Sequence, residues 1–136
     1  MVSGAWYQKL WNSGTEESPV KTPYDPCPAG WRVPTAEEWQ AVIGTSSVDK
    51  EWNSATKLMT FTNAGSDQKL ILPAAGIRPI SGKESYSQGS AGRYWSSSVS
   101  PQVVGANSMY FDHTTMPTRS KRTDRAAGCS VRCVQE

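Results

Sequence analysis

Histidine occurs once in these 136 residues, phenylalanine twice and cysteine three times. Each scarcity excludes something. With one histidine, His113, and three cysteines in no metal-ligand spacing, the chain offers no zinc or copper site, and no metal or other cofactor is expected. No apolar run approaches the ~20 residues that a membrane-spanning helix needs, so no direct membrane span is expected. The start, MVSGAWYQKLW, has neither the basic opening nor the apolar centre of a secretion leader. That leaves a cytoplasmic protein or a stretch of a longer exported one. The net charge of +2 is too small to argue for nucleic acid. An odd number of cysteines leaves at least one thiol unpaired within a monomer.

What is present is aromatic. Six tryptophans in a chain only 37% hydrophobic imply a core built on large rings. The length suits one domain over 1–136, with an N-terminal strand and loop over 1–23 and the core over 24–136. The clearest local signal is PTAEEWQAVIG. Thr35 with Glu38 three residues later forms a capping box, Trp39, Val42 and Ile43 make an apolar stripe, and Gly44 stands where the helix stops. This predicts a helix over 36–43, with a second, weaker helical stretch near 47–53. Trp31 and Trp39 bracket it as core. Beyond it, TKLMTFTNAG, KLILPAAGIR, RYWSSSVS, NSMYFD and GCSVRCV read as short strands between turn residues. Helix first and strands after indicate an α+β domain. Residues 81–92 and 112–127 read as long loops, which a compact domain seldom keeps without a use.

Catalysis finds little support. Asp112 and His113 are adjacent, so on an extended chain they point to opposite sides and cannot act as an orienting pair for Ser96, Ser97 or Ser98. No G-x-S-x-G context supplies a nucleophile elbow. The run TRSKRTDR places Arg119, Lys121, Arg122 and Arg125 together, yet no flanking aromatics offer base stacking, so nucleic acid is not an expected partner. Tyr110 alternates with Met109 and Phe111 and should face away from them. Cys129 and Cys133 lie four apart in an apparent strand, about 13 Å, so Cys27 reaches only one of them. Three reduced thiols are the other option.

The segments YDPCPAGWRVPTAEEW, LPAAGIR, GRYWSSS and GCSVRCV, in this order over 24–134, resemble the Fibrobacter succinogenes major paralogous domain family. That resemblance implies a C-type lectin-like fold of the formylglycine-generating-enzyme-like subtype, with one or two short helices, a small twisted antiparallel sheet and long loops. It also implies an exported or surface-displayed bacterial protein of the kind common in Bacteroidetes, and a disulfide between Cys27 and Cys133. Cys129 then stands where the family usually has a large apolar residue, as a buried free thiol. WRVPTAEEW is also similar to a segment of formylglycine-generating enzymes. Those use two C-terminal cysteines with copper, but Cys133 matches the structural cysteine and the chain is about half their length, so no enzyme is expected. Calcium-dependent lectin chemistry needs clustered carboxylates, and between Tyr94 and Phe111 there are none.

The resemblance extends to ligand-binding proteins diversified by retroelements, in which framework residues alternate with substitutable ones. Here the framework is Tyr94, Trp95, Ser96, Met109, Phe111, Arg125, Gly128, Ser130 and Arg132. The interleaved ligand-binding candidates are Tyr110, Asp112, His113, Thr115, Thr118, Arg119, Ser120, Lys121, Arg122, Thr123 and Ala127. The expected function is non-catalytic recognition of a protein or glycan ligand, in adhesion, through this face. A structural adhesin or pilus-tip domain is the rival, and a formylglycine-generating-enzyme-like oxidase the third option.

Overall fold

The structure is a computed structural model that describes residues 9–84, 86–100, 105–114 and 117–136, without the side chains of 120–122. Its elements are β1 (Trp31–Arg32), α1 (Ala36–Ile43), β2 (Val48–Asn53), β3 (Leu58–Asn63), β4 (Lys69–Pro73), β5 (Ala91–Trp95), β6 (Gly105–Asp112), β7 (Thr118–Asp124) and β8 (Val134–Gln135). They form three antiparallel sheets, β1-β8, β2-β3-β4 and β5-β6-β7. The expected α+β, C-type lectin-like fold is therefore corrected. The domain is mostly β, with one helix among the described residues and its strands divided over several sheets. The second helix near 47–53 is strand β2, whose side chains alternate between half-buried and exposed along its whole length.

The helix forms where its caps dictate. The Thr35 side chain accepts from the Glu38 N–H, and Glu38 reaches back to the Thr35 N–H. Arg32 grips the same carboxylate with two bonds of 2.7 and 2.6 Å. Burial would raise the Glu38 pKa, but the bonds from Arg32 and Thr35 outweigh it and hold the carboxyl below its ordinary value. Trp39 and Ile43 then enter the core beside Met59, Phe61, Leu72, Tyr94, Met109 and Phe111. Trp31, expected in the core, is 42% exposed on β1.

At the other end of the chain, Cys27 and Cys133 are disulfide-bonded and Cys129 is a free, half-buried thiol. The buried Asp25 organises the turn around Cys27. Its carboxylate accepts from the Cys27 and Val33 N–H groups and pairs with Lys21 at 3.0 Å. The GCSVRC stretch is not a regular strand. Gly128 bridges Arg78, and Ser130 runs parallel to Tyr94, so the segment lies along β5 and only Val134–Gln135 pair as β8.

Candidate functional site

The surface that collects most of the sequence candidates is the β5-β6-β7 sheet. Strand pairing sets Tyr94 opposite Met109 and Gly92 opposite Phe111 on the core side, and Arg93 opposite Tyr110 on the other. Met109 and Phe111 are fully buried while Tyr110 is half-buried, as the alternation requires. Gly92 is a glycine for want of space: a Cβ there would lie 2.3 Å from the Phe111 ring.

On the outward side three groups are locked together. The Arg93 guanidinium lies 4.8 Å over the Tyr110 ring, and the Tyr110 hydroxyl donates to Asp112 Oδ2 at 2.7 Å. Asp112 Oδ1 accepts from both the N–H and the hydroxyl of Thr114. Burial, then the bond to Asp112 and its charge, push the Tyr110 phenol up, so it stays a neutral donor. Arg93 also donates to the Thr123 hydroxyl, which meets Ser108 at 2.7 Å. The result is a planar cation, a phenol and a carboxylate held in one arrangement by their mutual contacts.

The remaining candidates scatter. His113 is exposed, and its N–H is bonded to the Ser90 carbonyl. Thr118 is exposed on β7 opposite Tyr110. Arg119, opposite Met109, turns to the helix side and pairs with Glu37 at 2.8 Å. Thr123 is 2% exposed and bonded within the sheet, so it belongs to the frame rather than to a contact surface. Ala127 is half-buried in the turn after β7. Thr115 and the side chains of Ser120, Lys121 and Arg122 lie outside the described residues. The long loop expected over 112–127 instead carries β7. Arg93 was missed, although its place between Gly92 and Tyr94 in GRYW already assigns it to the outward face.

Cys129 sits within reach of the Arg93 charge. Burial pushes its thiol from 9.0 up to about 12, against a smaller opposing pull from Arg93. A pKa raised in the fold favours the neutral thiol; that preference is intact below pH 9.0 and is lost as pH rises toward about 12. Maleimide labelling of the native, unreduced protein at about pH 8 should then run roughly a hundredfold to a thousandfold slower than in denaturant. The shift cuts the thiolate fraction, and the more basic thiolate recovers part of the rate. Equal rates would contradict the placement.

A family model described as the Fibrobacter succinogenes major domain matches residues 3–135. The chain belongs to this family. No curated protein and no solved structure matches it. Among the described residues of this Fibrobacter succinogenes major domain, no group of three or more His, Cys, Asp or Glu side chains could hold a metal ion. No helix there is long and apolar enough to cross a membrane. The Cys27–Cys133 disulfide is compatible with an exported domain.

Proposed function

We propose that this Fibrobacter succinogenes major domain is a non-catalytic recognition module of an exported or surface-displayed bacterial protein, binding a protein or glycan ligand through the outward face of β5-β6-β7. The observation that carries the reading is the Arg93–Tyr110–Asp112 cluster. Tyr and Arg are the side chains in which binding energy most often concentrates, and here both are held in one geometry on paired strands. Diversification of positions in and around this cluster, chiefly the half-buried Tyr110 and Asp112 and the exposed His113 and Thr118, is part of the proposal.

Arrays of glycans and of extracellular proteins supply the ligand for the test. Replacing Arg93 or Tyr110 by alanine should cost about 2 kcal/mol, roughly thirtyfold in Kd. Glu51→Ala, on the exposed side of β2, should leave binding unchanged. Unaltered binding by both cluster variants would remove the face from the account.

A further inference from the structure

Beyond that cluster, the same sheet ends in a cleft lined in part by the Trp95–Ser98 stretch of the GRYWSSS motif. Its walls are Leu10, Trp11, Trp95 and Val99, its floor is the serine run that follows β5, and Arg125 stands at its side. We infer that this cleft is a second binding site, for a carboxylated sugar ring such as the uronic acid unit of a glycan. None of its residues belongs to the Arg93–Tyr110–Asp112 cluster, so it does not rest on the reading above.

Size limits the occupant first. The cleft holds about 180 Å³, and an apolar cavity of roughly 150 Å³ takes one benzene ring. The cleft is open to solvent, so the face of one six-membered ring seats in it while the ring's substituents and any linked sugar project outward. Two indoles and two aliphatic side chains suit the C–H face of such a ring.

Charge comes next. Arg125 donates through Nε to the Gly105 carbonyl at 2.9 Å and takes part in none of the ion pairs among the described residues. That bond anchors the guanidinium and leaves its two Nη groups as donors, the fork that matches a carboxylate.

The floor argues for hydroxyls on the ring. Ser96 donates to the Asn107 carbonyl and Ser97 to the Pro34 carbonyl, each keeping its oxygen as an acceptor. Ser98 accepts from the Ala36 N–H and keeps its proton to give. A ring without hydroxyls would leave these capacities unanswered where water is displaced.

The test is an NMR titration of the isotope-labelled domain with D-galacturonate, following the indole N–H signals of Trp11 and Trp95 and the Arg125 Nε–H. D-galactose and benzoate serve as the comparison probes. Saturable shifts with galacturonate, weakened at least about tenfold by Arg125→Gln and untouched by Tyr110→Ala, are the expected result. Trp11→Ala should produce a similar loss, and amide spectra unchanged away from the cleft show that both variants are folded. No saturable shift would overturn the site. A galactose response equal to that of galacturonate would remove the carboxylate, and benzoate matching galacturonate would remove the sugar.

Discussion

Replacing Phe111 by alanine should lower stability by about 3–5 kcal/mol, the largest effect of any single side chain here. Phe111 is fully buried at the centre of the core, its ring stacked on Tyr94 and tilted against Trp52 at centroid distances of 6.3 Å in each case. Three elements meet on it: β2 through Trp52, β5 through Tyr94 and Gly92, and its own β6. The cavity left behind cannot close from below, because Gly92 has no side chain to move into it. The same crowding makes a second variant informative. Gly92→Ala would press a methyl into the Phe111 ring and should cost about 1–3 kcal/mol or more. Combining Gly92→Ala with Phe111→Leu should then cost less than the sum of the two single changes. Urea unfolding of the four proteins gives the coupling directly, and additive losses would contradict the packing described.

Removing the Cys27–Cys133 bridge is expected to have the next largest effect. The two cysteines are 106 residues apart in sequence, and closing a loop of that length is valued at roughly 4–5 kcal/mol by the chain-entropy model, with 2–5 kcal/mol the usual measured loss. Without the bridge, little else holds the final residues. Two residue pairs join β1 to β8, and the Glu136 N–H bonds to the Gly30 carbonyl. Cys27→Ala/Cys133→Ala should therefore lower the unfolding midpoint strongly, and reductant should do the same to the unaltered protein but not to the double variant. Equal stability with and without the bridge would show that Asp25 and its bonds to Cys27, Val33 and Lys21 suffice to hold this corner.

Helix α1 was legible in the sequence because its signals are local: Thr35, Glu38 and the Trp39–Ile43 stripe lie within nine residues. Strands β3, β4 and β6 were legible from runs of apolar and aromatic residues, whereas β5 was displaced: Ala91 and Gly92 fell in the loop expected over 81–92, and the strand read through Ser100 ends at Trp95. Strand β2 was not, because its inward positions are Val48, Lys50 and Trp52. Lys50, whose amine bonds to the Thr45 and Val48 carbonyls, breaks the apolar–polar alternation of the sequence although burial alternates along the strand. Strand β7 has no apolar residue at all. Its Thr118–Asp124 backbone is a strand because β6 pairs with it, and a basic, hydroxyl-rich segment gives no sign of that partner. The GCSVRC stretch erred the other way. It has strand-like composition, yet Gly128 and Ser130 make isolated bridges to distant segments rather than a ladder.

The candidate site was half legible for the same reason. Alternation along NSMYFD placed Tyr110 on the outward side, a local inference. Its pairing with Arg93 depends on the register between β5 and β6, which no spacing in the sequence reveals. Arg119 and Thr123 looked equivalent to their neighbours as members of a polar run. The ion pair with Glu37 and the buried contact with Ser108 set them apart only once β7 is placed beside α1 and β6.

The claim that the outward face of β5-β6-β7 is the recognition surface is tested most directly by a saturation scan of the displayed domain, scored separately for folding and for binding to an array-identified ligand. Substitutions at Arg93, Tyr110 and Asp112 are expected to weaken binding by roughly thirtyfold while leaving folding intact, and those at Phe111, Gly92 and Thr123 to lose both together. Binding-specific losses concentrated instead on the β2-β3-β4 sheet, with Arg93 and Tyr110 freely replaceable, would contradict it.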